Sequence, residues 1–280
     1  MMKDYNNDAS WLTENAWGKW GEDDEVGALN DVTPADVVKA ASLIRTGKVY
    51  DLETVRFKGM PVWDGHIGFE LLTYGSPMGR RNMSKNSDYS PAFAWHKDGG
   101  WVASANDDYQ IDANTEVMIA PMHMGTHIDG FCHITVGEDA HWYNGYNVSE
   151  YWGDFGPLKT DATTIPPIIL RGVLLDIAGY KGLDHVDPNY GITPEDIEGC
   201  AAWEGVELKE RDCVLLRCGE HWPEMDRCPG AGMTLAAARY LVEEKGAVLL
   251  GDDMIAFEMN HADGTMSWPR HPHPVHHYCL

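Results

Sequence analysis

From Ile168 to Ala178 the chain reads IILRGVLLDIA, from Cys213 to Gly219 it reads CVLLRCG, and AVLLGDD follows at 247–253. Short aliphatic runs of this kind, bounded by glycine or charged residues, mark strands buried in a sheet. Between the first two, Thr193, Pro194 and Asp196 form a helix start: threonine as cap, proline at the first helical position, and a carboxylate three after the cap. That helix runs to about Trp203. TLAAARYLVEEKG at 234–246 is an amphipathic helix with Leu235, Ala238, Leu241 and Val242 inward. Strands alternating with helices, the strands continuously apolar, predict an α/β fold whose sheet is covered on both faces.

Toward the N-terminus the same cap recurs at Thr33, Pro34 and Asp36, with Val37, Val38, Ala41 and Ile44 as the apolar side and Gly47 as the stop. KVYDLETVRF at 48–57 then predicts a strand by its β-branched and aromatic content. Residues 1–32 hold Trp11, Trp17 and Trp20, too apolar for a free tail. This arm is expected to pack on the body or on a second subunit, which points to a homo-oligomer. Residues 58–115 are irregular, and so long a stretch carries function or holds short unrecognised strands. Trp63, Phe69 and Trp95, with Pro61, Phe93, His96 and Trp101 beside them, are candidates for an aromatic wall around a ring-shaped substrate. His66 has no partner by spacing. With no internal repeat and no low-complexity linker, residues 1–280 are expected to form one domain.

The densest chemistry lies at 123–133, HMGTHIDGFCH. His123, His127 and Asp129 offer two imidazoles and a carboxylate, a ligand set that suits Zn²⁺ or another divalent ion and leaves positions open for water and substrate. On a helix Asp129 would lie away from the two histidines, whereas on a strand His123, His127, Asp129 and His133 share one parity. Gly125 and Gly130 disfavour an unbroken helix, so EVMIAPMHMG is read as a strand that bends at Gly125 and delivers 126–133 as a loop.

This stretch resembles the H-x-G-T-H-x-D-x-x-x-H signature of the cyclase family of metal-dependent hydrolases, which includes kynurenine formamidase and isatin hydrolase. WGKWGEDDEVGALNDVTP near the start, RGVLLDIA, GITPEDIEGCAAWEGVELKERDCVLLRCG, and HPVHH near the end resemble its longer members as well. The resemblance implies a swivelling β/β/α fold around a mixed sheet, with Zn or Mn as the cofactor. It also implies a further metal-site histidine at the first of the paired histidines, which falls on His276. Members continue with a strand carrying a glutamate ligand shortly after that histidine, whereas this sequence ends at Leu280, so that strand is expected to be absent. His271 and His273 read as a surface tail.

A divalent ion held by His123, His127 and Asp129 lowers the pKa of its water from ~15.7 toward ~7 and polarises a carbonyl. A base of suitable pKa must stand beside that water, and His133 is the candidate. Thr126 is placed to hydrogen-bond a ligand. The expected reaction is hydrolysis of a small cyclic amide, imide or lactone, the class that the resemblance implies. A linear N-formyl amide is the nearest rival. A 2-His-1-carboxylate iron oxygenase and a closed metal-binding module stay open as other classes.

A net charge of −23 speaks against nucleic acid or an anionic membrane as partner and leaves a small molecule. The six cysteines show no C-x-x-C pair or regular framework, and MMKDYNNDASW has no apolar leader, so a reduced, cytoplasmic setting is expected. Cys132 reads as a small buried residue at the wall of the site rather than a nucleophile.

Overall fold

A computed structural model describes residues 5, 8–12, 16–63, 65–75, 114–220, 228–259 and 271–280. The chain forms two compact units, Met1–Leu52 together with Ile128–Leu280, and Glu53–His127.

The three aliphatic runs become three parallel strands of the larger unit: Gly172–Asp176, Cys213–Arg217 in the middle, and Leu249–Asp252. Parallel neighbours need long crossovers. The helix Pro194–Glu204 lies in the first, and Leu235–Arg239 in the second. Pro194–Glu204 starts on the expected cap, the Thr193 N–H donating to Asp196 at 3.0 Å, and stops at Gly205 with φ of 69°. Its buried residues Pro194, Ile197, Cys200 and Ala201 follow helical spacing, and the last three join Val173, Leu175, Val214, Leu216, Leu235, Ala238 and Leu241 in one core.

Two details correct the reading of this region. Burial alternates along Gly172–Asp176, with Val173 and Leu175 inside but Leu174 54% exposed, so one face of the sheet carries this core. A run of leucines suits a half-exposed strand as well as a covered one, and the sequence alone does not separate the two. The second helix passes into a π-helical turn at Tyr240–Glu244, where the Lys245 N–H reaches the Tyr240 carbonyl at 3.2 Å. The wider turn breaks the 3.6-residue period, which leaves Leu241 buried and Val242 out of the core.

The N-terminal arm packs on its own chain. Tyr143 donates to the Asp24 carboxylate at 2.7 Å, Gly18 N–H to the Asn144 side chain at 2.8 Å, and Thr160 N–H to Glu25 at 2.7 Å. Gly27, at φ of 65°, sits so close to Phe131 that a Cβ would stand 2.5 Å from its ring. Phe131 in turn stacks on Tyr143 with centroids 4.3 Å apart. The arm therefore braces the turn that carries His133.

The smaller unit holds an antiparallel pair, Glu70–Gly75 with Thr115–Ile119, so a short strand does lie in the irregular stretch. The second strand ends four residues before His123, because Pro121 offers no N–H and Gly125 takes a φ of 64°. Strand parity therefore does not orient the histidines. Residues 48–57 form no strand. Beside a bent loop there is no straight ladder to join, and side chains make the attachment instead. Arg56 donates from Nε to the Met124 carbonyl at 3.0 Å and from Nη2 to that of Thr126 at 2.7 Å. No described helix is long and apolar enough to cross a membrane.

Candidate functional site

The boundary between the units falls between His127 and Ile128, inside the histidine-rich stretch. In the smaller unit the rings of His123 and His127 meet edge to face, centroids 5.3 Å apart. His127 Nδ1 lies 2.7 Å from the Gly125 carbonyl, which only an N–H can satisfy, so in the neutral ring Nε2 carries the lone pair a metal takes. Thr126 is engaged by the segment that carries Arg56: its hydroxyl oxygen accepts from the Thr54 N–H at 3.2 Å. His66 comes within 6.0 Å of the His123 ring, centroid to centroid, and its Nδ1 is buried without a described partner. No spacing in the sequence joins the two, so His66 could be found only in three dimensions. Phe69 is buried and Trp63 is 37% exposed. Trp95, with Phe93, His96 and Trp101, lies outside the described residues.

In the larger unit, residues almost 150 positions apart converge. His276 Nε2 stands 3.6 Å from Asp129 Oδ2, and the His133 ring lies 5.8 Å from that of His276. The backbone N–H of His133 donates to the Gly130 carbonyl at 2.9 Å, closing the turn Phe131–His133. Cys132 packs against the Trp142, Tyr143 and Tyr146 cluster, and burial pushes its thiol pKa up, as suits a wall residue.

Behind His276 is a residue that sequence reasoning missed. Glu258 is fully buried, and its Oε1 meets Nδ1 of His276 at 2.6 Å and Nδ1 of His273 at 2.8 Å. Its Oε2 accepts the backbone N–H groups of Val275 at 2.9 Å and His276 at 3.0 Å. Burial alone would raise this carboxyl. The hydrogen bonds from the His273 and His276 rings and from the His276 backbone outweigh it and hold the pKa below the ordinary value. The same contact with Glu258 raises His273 against the opposing effect of its own burial. His273 is thus no surface tail, and neither is His271, whose Nε2 is 2.8 Å from His277 Nδ1. The family resemblance implies a glutamate after the histidine at 276; the glutamate carboxylate beside His276 here comes eighteen residues before it.

Donor chemistry and spacing suit a divalent cation. Two ligand bonds of about 2.0–2.2 Å at a tetrahedral angle hold their donor atoms roughly 3.4 Å apart. The 3.6 Å between Asp129 and His276 is close to that span and too long for a hydrogen bond.

No curated protein matches this sequence. A crystal structure described as a novel cyclase matches 95% of this chain and 81% of its own, with 26% identity and a TM-score of 0.74. Isatin hydrolase A from Ralstonia solanacearum, 16% identical, matches over 89% of this chain and 82% of its own with a TM-score of 0.50, a likeness of fold. The model of the family described as putative cyclase matches residues 50–259, which takes in the histidine-rich stretch, the parallel strands and Glu258, and the chain belongs to that family.

Proposed function

We propose that the protein is a metal-dependent hydrolase that opens a small cyclic amide, imide or lactone to a carboxylate. The observation that carries this reading is the meeting of Asp129, His133 and His276 in the larger unit, a carboxylate and two imidazoles from distant parts of a cyclase-family chain. The ligands proposed are His123, His127 and Asp129, three donors within seven residues, with His276 beside Asp129 as a fourth. Zinc or manganese suits imidazole and carboxylate donors. When bound, such an ion supplies a Lewis acid for the carbonyl and water of lowered pKa.

The chain's own groups do the rest. His133, at the end of the turn braced by Phe131 and Gly27, takes the proton from the attacking water at a ring nitrogen and returns it to the departing nitrogen or oxygen. A ring-opened product keeps its leaving group attached, so one base serves both transfers. Trp63 and Phe69 are proposed to contact the substrate ring. A small-molecule substrate and a homo-oligomeric, cytoplasmic enzyme complete the proposal.

The test is metal analysis of the purified protein, then hydrolysis of cyclic amides, imides, lactones and aryl formamides at neutral pH with and without a chelator. Chelation should abolish turnover and added Zn²⁺ or Mn²⁺ restore it. His133→Ala should keep its metal and lose about 10²–10⁴-fold in turnover, whereas Asp129→Ala should lose the metal. A chelator-resistant rate, or a metal-free His133→Ala, would overturn the assignment. Faster turnover of the formamides would move the substrate to the linear class.

A further inference from the structure

We propose that Glu258 is a positioning residue for His276: it accepts the proton on Nδ1 and so presents Nε2, as an unprotonated lone pair, toward Asp129. This deepens the hydrolase reading and rests on it for the function of Nε2, though not for the tautomer itself.

The geometry is over-determined. Glu258 Oε1 has Nδ1 of two imidazoles at hydrogen-bond distance, and Oε2 has two backbone N–H groups. An ionised carboxylate can only accept, so four contacts fill its four lone-pair sites and each imidazole must donate from Nδ1. In neutral His276 the proton is then on Nδ1 and absent from Nε2. A lone pair facing the Asp129 carboxylate at 3.6 Å is repulsive unless a cation stands between them, which is what a shared metal provides. A carboxylate behind a metal-binding imidazole fixes its tautomer and ring orientation.

The backbone is built to hold Glu258 there. Phe257 adopts a φ of 60°, uncommon for an aromatic residue, and its ring lies edge-on to His276 at 6.2 Å. Met233 N–H donates to the Phe257 carbonyl and Met259 N–H to the Met233 carbonyl, both at 2.9 Å, gripping Glu258 from either side. Gly232 permits the approach: a Cβ there would lie 2.6 Å from the Glu258 carbonyl carbon.

Glu258→Gln separates positioning from mere packing. Glutamine has nearly the same shape but one acceptor oxygen. If that oxygen keeps the two backbone N–H groups, the amide N–H₂ faces the imidazoles and forces His276 to accept at Nδ1 and carry its proton on Nε2. In metal-free, ¹⁵N-histidine-labelled protein, with His276 assigned by its loss in His276→Asn and the pH raised until its ring carries a single proton, the wild type should show a protonated Nδ1 and a bare Nε2. Glu258→Gln should exchange the two signals, while His273→Ala should leave them as in the wild type. Metal affinity or turnover of Glu258→Gln should fall about 10–100-fold. A wild-type His276 protonated on Nε2 overturns the proposal without any variant, which covers the case in which Glu258→Gln fails to fold. An exchanged tautomer with unchanged metal affinity and turnover overturns the positioning role and leaves the hydrolase intact. If the wild type hydrolyses none of the compounds, the reaction assignment fails, and the tautomer and metal affinity still decide what Glu258 does.

Discussion

Two helices of the larger unit begin on the same four-residue device and end in opposite environments. In Pro34–Ser42 the Thr33 N–H donates to Asp36 at 3.0 Å, and in Pro194–Glu204 the Thr193 N–H donates to Asp196 at 3.0 Å. Yet the second buries Pro194, Asp196, Ile197, Cys200 and Ala201, whereas no residue of the first is buried and Val38 is 69% exposed. The cap is a local device, satisfied within one turn whatever lies outside. Burial belongs to the partner surface, and of these two helices it is Pro194–Glu204 that joins the core beside the parallel strands.

The two cap carboxylates differ in their partners more than in their own burial. Asp196 is buried with Lys181 at 2.7 Å and the Tyr190 hydroxyl at 2.7 Å. Burial alone would raise its pKa, and the bonds from Lys181, Thr193 and Tyr190 hold it below the ordinary value. Asp36 is lowered first by the Thr33 hydroxyl and N–H, with Lys39 and Arg211 adding to them.

The comparison can be broken at several points. The largest effect is expected from Ile197→Ala, which empties a fully buried site and should cost about 2–5 kcal/mol in chemical denaturation. Asp196→Asn comes next, at about 1–3 kcal/mol for loss of a hydrogen-bonded charge beside Lys181. Its pH dependence has a definite sign. A carboxyl whose folded pKa lies below the unfolded value contributes fully above the unfolded value, about 3.9, and loses that contribution as pH falls through the folded value. Wild type and Asp196→Asn should therefore differ clearly in melting temperature at pH 7 and converge as pH falls through the lowered folded-state pKa of Asp196. Asp36→Asn should shift the midpoint in the same direction by less, since its partner Lys39 is 72% exposed whereas Lys181 beside Asp196 is 24% exposed. The smallest change is expected at Val38→Ala, within about 0.5 kcal/mol. A loss at Val38 equal to that at Ile197 would mean that the first helix has a partner surface of its own.

Much of this chain was legible one residue at a time. Both helix starts, the three aliphatic strands and the packing of the N-terminal arm follow from cap residues, aliphatic runs and tryptophans. Residues 48–57 misled because β-branched content measures fit to a pleated surface, and no such surface lies beside them. Val242 misled because the helical period changed at the π turn. Glu258, His273 and His66 were invisible because none stands at a ligand spacing from its partners.

The sequence by itself determined where the capped helices begin and where imidazole and carboxylate donors are densest, because caps, turn residues and donor atoms act over a few residues. Only the tertiary structure decided which helix is buried and which carboxylate stands behind His276. Hydrogen bonds and desolvation depend on distance in space, and the eighteen residues between Glu258 and His276 set no such distance until the chain has folded.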